Sequence, residues 1–134
     1  MPLIEWSPTL EIGIPEIDYQ HRTLVSMLNA LGRGIEAGEP ADVIGEILEA
    51  LDGYVHTHFA SEERLMQRIG YEHIDEHMAE HHRLAETVHR HREAYARGQC
   101  SPQNLLEFLI RWLLNHIAGA DSYIAEAWRN RQAA

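Results

Sequence analysis

Five histidines and a glutamate stand where helical periodicity demands apolar residues, and few folds accept that pattern. His21, His58, His77, His81, His116 and Glu62 each fall on the hydrophobic stripe of an amphipathic segment. The segments themselves are set by breakers. Pro2, Pro8 and Pro15 interrupt the first sixteen residues, and Gly38-Glu39-Pro40, Gly70-Tyr71 and the stretch from Gly98 to Pro102 divide the rest. Proline and glycine are disfavoured inside helices and favoured in turns, so the spacing predicts helices over about 18–37, 41–69, 74–97 and 102–129, preceded by an arm over about 1–16.

Each predicted helix has one apolar face. Leu24, Leu28, Leu31 and Ile35 mark it in the first, and a step back of three residues from Leu24 lands on His21. In the second, Ile44, Leu48, Leu51, Val55, Phe59, Leu65 and Met66 share a stripe with His58 and Glu62, while His56 and Glu63 point elsewhere. Leu84, Val88 and Tyr95 continue through His81 and His77 in the third. The fourth opens with Ser101-Pro102 as a cap and first-turn pair, then buries Leu105, Leu109, Trp112, Leu113, Ile124 and Trp128 with His116 among them. Short connections make consecutive helices antiparallel neighbours. The expected fold is all-α, an antiparallel up-down-up-down four-helix bundle with an N-terminal extended arm, in a single domain over 1–134.

A lone histidine on an apolar face is most often a hydrogen-bonded core residue. Six inward polar groups are another matter, because each left unpaired costs about 1–3 kcal/mol. A shared metal centre satisfies them together. His77-x3-His81 and His58-x3-Glu62 place both members of each pair on one helix face, one turn and about 40° apart. His73-x3-His77, His82-x3-Glu86 and His89-x3-Glu93 repeat the spacing, but the last two lie off the stripe and read as solvated. One tetrahedral ion takes four ligands, so six candidates imply two metals, and an imidazole-rich set with carboxylate bridges suits iron ahead of manganese or zinc. The ferritin-like architecture needs two inward Glu-x-x-His motifs, whereas this chain has only Glu86-Thr87-Val88-His89, with its histidine off the stripe. There is no His-Glu-x-x-His motif and no glycine-rich phosphate loop.

Charge narrows the partners. Twenty-one acidic residues against eleven basic ones, all of them arginine, give a net charge of −10, which repels phosphate backbones and anionic lipid. Neither nucleic acid nor membrane insertion is expected. The start, Met1-Pro2-Leu3-Ile4-Glu5-Trp6, has no signal-peptide pattern and no later run approaches ~20 apolar residues, so a cytoplasmic protein is expected. Cys100 has no partner for an internal disulfide and reads as a loop thiol.

Several motifs then occur together and in order: Ile17-Asp18-Tyr19-Gln20-His21, Tyr54-x3-His58-Phe59-x2-Glu62-Glu63-x2-Met66, His77-x3-His81 and Trp112-x3-His116-Ile117-x3-Asp121, behind an arm carrying Trp6 and Gly13-Ile14. This set resembles the bacterial hemerythrins over almost the whole chain. The resemblance implies two non-haem iron ions, bridged by carboxylates and an oxo or hydroxo group. It assigns His77, His81 and His116 to one iron and His21 and His58 to the other, with Glu62 and Asp121 bridging and one position left open for dioxygen. Asp121 comes from the resemblance alone, since five residues after His116 is about 140° around a regular helix. Phe59, Trp112, Leu113 and Ile117 would wall the oxygen pocket. The implied activity is reversible dioxygen binding for storage or delivery, not enzymatic turnover. Sensing of oxygen, nitric oxide or redox state, and reduction of peroxide or nitric oxide, are the alternatives; the polar exterior is compatible with a monomer.

Overall fold

The computed structural model describes residues 4–133; residues 1–3 of the expected arm, and Ala134, lie outside them. Helices α1 (Pro15–Glu36), α2 (Ala41–Ile69) and α3 (Ile74–Ala96) are followed by α4 (Pro102–His116) and α5 (Ser122–Ala133). A π turn at Ile117–Asp121 joins α4 to α5 without a break, so the two form one rod, the fourth of the bundle. Among the described residues there is no strand.

Local chemistry explains the ends. Pro15 starts α1 three residues earlier than the apolar spacing suggests, because a first-turn amide has no partner to lose and the ring presets a helical φ. Ser101 Oγ accepts the Asn104 amide at 3.1 Å and Pro102 follows, as expected of that pair. Gly70, at φ 64°, ends α2 in the left-handed region, letting the Tyr71 amide turn back to the Met66 carbonyl at 2.9 Å. The arm is extended except for a 3-10 turn at Pro8–Leu10. Asp18 ties it to α1 by accepting the amides of Ile12 at 2.8 Å and Gly13 at 3.1 Å.

Packing follows the four apolar stripes. The first rod lies against α2 and the fourth, and α3 lies against the same two. Their inner faces form two apolar clusters. The larger contains Leu24, Leu28, Leu31, Leu48, Val55, Phe59, Leu105, Leu109, Trp112 and Leu113 among others, and the smaller contains Ile14, Ile17, Leu65, Met66, Ile124 and Ala125. Between them in sequence, on every rod, stands a buried polar group: His21 precedes Leu24, Glu62 precedes Leu65, and Asp121 precedes Ile124. The polar layer is therefore capped by hydrocarbon at both ends. No described helix is long and apolar enough to cross a membrane.

Candidate metal centre

All seven residues expected at the centre meet in that layer. α1 contributes His21, α2 His58 and Glu62, α3 His77 and His81, α4 His116, and the π turn Asp121. Their ligand atoms fall into two overlapping groups, each within 4.8 Å: Glu62 with His77, His81 and His116, and Glu62 with His21, His58 and Asp121. Glu62 Oε1 lies 3.1 Å from His58 Nε2, 3.3 Å from His81 Nε2 and 3.1 Å from His116 Nε2. Asp121 divides its oxygens between the groups, Oδ2 at 2.7 Å from His21 Nε2 and Oδ1 at 3.1 Å from His116 Nε2 and 3.6 Å from His77 Nε2.

The π turn corrects the regular-helix geometry that placed Asp121 far from His116. A turn with an extra residue rotates the chain less per residue, so position five returns to the face that position four occupies in an α-helix. The widened turn at Ile117–Asp121 thereby carries Asp121 into the core at 0 % exposure. Sequence periodicity assumes uniform winding, and no composition signal in Ile117-Ala118-Gly119-Ala120-Asp121 marks the bulge.

Burial is nearly complete, from 0 % exposed for His21 and His58 to 5 % for His77, so solvent does not satisfy these atoms. The Nε2 atoms of His58, His77 and His81, and Oε2 of Glu62, make no hydrogen bond. Native cores seldom tolerate several such orphans side by side. Cations supply the missing partner, and neutral imidazoles with carboxylates are the donor set that first-row transition metals take. The residues fit a metal centre.

Electrostatics point the same way. Burial pushes His58 down to about 3 and His77 down to about 4, despite the opposing pull of Asp121, so both rings are neutral donors. Burial and the neighbouring Asp121 raise Glu62. For Asp121 burial opposes ionisation, yet His116 and hydrogen bonds from Glu62, His116 and His21 hold it well below its usual range. His116 is raised well above its ordinary value, because Asp121 and Glu62 outweigh its own burial. Without metal, the layer thus keeps protons that a cation would displace.

These shifts give a pH expectation for the metal-free chain. Between pH about 6.5 and about 4 the unfolded chain protonates His58 and His77 while the folded one does not, and only Glu62 among the shifted groups works the other way there. Where the unfolded state binds more protons, stability falls as pH falls. His116, held well above 6.5, opposes this only at higher pH, so the urea midpoint of metal-free protein should be lower at pH about 4.5 than at pH about 6; an equal or higher midpoint contradicts the buried neutral rings.

Outside the seven, three side chains orient the rings. His58 Nδ1–H donates to Gln20 Oε1 at 2.7 Å, and Gln20 Nε2 donates in turn to Ser61 Oγ at 2.8 Å. His81 Nδ1–H donates to Glu63 Oε2 at 3.0 Å. Glu63 lies off the stripe of α2, as its position implies, and from there reaches across the α2–α3 seam, a contact that the periodicity of one helix cannot register. Gln20 and Ser61 escaped notice for the same reason. Partners of this kind set ring orientation and basicity, and losing one weakens metal binding roughly 10–100-fold. Glu63→Ala should show that loss in competition with a chelator, and an unchanged affinity would remove Glu63 from the centre.

The expected wall residues Phe59, Trp112, Leu113 and Ile117 are all buried in the larger cluster. Phe59 stacks on His81 at 3.9 Å between centroids and lies 5.9 Å from His58, and Trp112 stacks on His116 at 5.6 Å. His82 and His89 are exposed, as their off-stripe positions imply.

Four helical rods around a buried set of histidine, glutamate and aspartate donors make this a metal-binding helical bundle. Residues 12–128 match the family model described as Hemerythrin HHE cation binding domain. The chain is 36 % identical over 126 residues to a bacteriohemerythrin of Stenotrophomonas maltophilia (strain R551-3), covering 94 % of this chain and 82 % of that one. It is 35 % identical to a bacteriohemerythrin of Methylococcus capsulatus, covering 90 % and 93 %. A crystal structure of wild-type hemerythrin superposes with a TM-score of 0.86 at 31 % identity, covering 94 % of this chain and 98 % of that one. The chain belongs to the hemerythrin family.

Proposed function

We propose that this protein binds dioxygen reversibly at a pair of non-haem iron ions, for oxygen storage or delivery in the cytoplasm, and is a binding protein and not an enzyme. The observation that carries the reading is the three-and-two division of five buried imidazoles around Glu62, which both groups share, and Asp121, whose second oxygen faces His116 and His77. His77, His81 and His116 would hold one iron and His21 and His58 the other, with Glu62 and Asp121 serving both. With both carboxylates counted on both sides, the two-histidine side has one imidazole fewer than the other, which favours it as the side that meets the ligand. When bound, a ferrous pair supplies the two electrons that reversible oxygen binding requires.

The chain's own part is to hold, orient and exclude. Gln20 and Glu63 fix the tautomers of His58 and His81, keeping each Nε2 unprotonated and turned inward. The apolar clusters close the two ends of the layer to water, which supports carriage over reduction. Phe59, Trp112, Leu113 and Ile117 form the wall on the larger-cluster side.

The test is iron per chain on purified protein, then visible absorption as an anaerobically reduced sample meets air and is sparged with inert gas. Two irons with a band that appears and fades are expected. Two irons with irreversible oxidation would favour sensing or peroxide chemistry, and no iron would overturn the reading.

A further inference from the structure

Among the described residues, three surface cavities are each lined by one histidine of the three-histidine group: His77 in a cavity of about 760 Å³, His116 in one of about 350 Å³ and His81 in one of about 260 Å³. Their charges differ. The largest carries Glu72, Glu76, Glu80 and Glu126 with no arginine, whereas the His116 cavity sets Arg111 against Glu80 and the His81 cavity has Glu63 as its one carboxylate. Low-dielectric walls lined by one sign of charge concentrate counter-ions. The same field is felt by Tyr71 on the cavity wall, whose phenol is raised by its burial and then by Glu76, Tyr123, Glu126 and Glu72.

Imidazoles lead inward from this mouth. His73, exposed at the start of α3, lies 3.4 Å from Glu76 Oε2 and lines the cavity. His77 stands one turn further along the same face, 95 % buried by its 5 % exposure, with Nε2 unpartnered and 3.6 Å from Asp121. His81 follows after another turn, its ring 4.4 Å from that of His77. Gly119 and Ala120 of the π turn, just ahead of Asp121, also line the cavity. The His73-x3-His77 spacing, which the centre itself does not use, thus has a direction from solvent to core.

We propose that this cavity is the entry route for divalent iron: the glutamates draw in the hydrated cation, and the His73–His77–His81 ladder exchanges its water for imidazole and passes it to the centre. The proposal rests on the di-iron reading and adds how the metal arrives. Oxidation state does not change along the route, and the protons that leave are those held on the buried ligands.

The test is the rate of ferrous ion uptake by metal-free protein under anaerobic conditions at low ionic strength, stopped at intervals with a chelator and read as iron per chain. Glu72→Gln, Glu76→Gln and Glu126→Gln together should slow uptake about tenfold and flatten its salt dependence. His73→Gln should slow it while keeping the salt dependence, and iron at saturation should be unchanged in both. The remote set Glu39→Gln, Glu46→Gln and Glu49→Gln should load at the normal rate; single Glu76→Gln serves if the triple variant does not fold. Normal uptake by the cavity variants, equal slowing by the remote set, or reduced iron at saturation each overturns the route. Failure of the unmodified chain to take up any iron would instead overturn the di-iron reading, and the route with it.

Discussion

Glu62→Ala should leave purified protein with roughly a tenth or less of its iron, given that even an outer partner of a ligand is worth about 10–100-fold in affinity. Glu62 has one oxygen within 3.3 Å of three inward imidazoles, on His58, His81 and His116. It is also the residue common to both ligand groups. Its loss removes anionic charge from a layer where no water is at hand to replace it, and so leaves the imidazoles to bind cations alone. His58→Ala should lose iron comparably, because its ring comes from the group with only two histidines. His82→Ala, one residue from His81 but exposed, should keep the full complement. Iron assay on the three proteins decides: equal loss from all three, or full retention by Glu62→Ala, would refute the assignment of the inward face.

Leu109→Ala should lower stability by about 2–5 kcal/mol, the usual range for emptying a buried leucine site. Leu109 is 1 % exposed inside the larger apolar cluster, with Leu105, Leu106 and Leu113 around it on the same rod. That cluster has a second duty, since its burial offsets the cost of the adjacent polar layer. A fall of about 10 °C in melting temperature is expected from the relation between free energy and Tm in domains of this size. Tyr123→Ala, at a side chain 63 % exposed, should shift it little. Thermal melts of the metal-free proteins make the comparison without metal linkage, and a shift in Leu109→Ala no larger than in Tyr123→Ala would contradict the packing.

Helix existence and facing were legible because both depend on local rules. Proline and glycine at Pro15, Gly38, Pro40, Gly70, Gly98 and Pro102 set the segments, and the 3.6-residue period sorted His58 from His56 and His81 from His82. Six members of the centre were readable this way, since a polar residue on an apolar face is conspicuous by position alone. Asp121 was not, because its facing depends on a π turn that no local pattern announces. Family resemblance supplied it, and the winding of Ile117–Asp121 accounts for it. Glu63 shows the other limit: a residue off the stripe of one helix acquires its role from the helix beside it, here through His81 on α3.

Spacing along one segment at a time was enough to read the four rods, their inward faces and the metal-binding chemistry those faces carry. Tertiary structure alone decided the grouping of ligand atoms, the division of Asp121 between two sets of histidines, the orienting contacts of Gln20 and Glu63, and the acidic cavity at His77. Those depend on distances between atoms up to 100 residues apart, as in the 2.7 Å contact of His21 with Asp121, and only packing brings such atoms together.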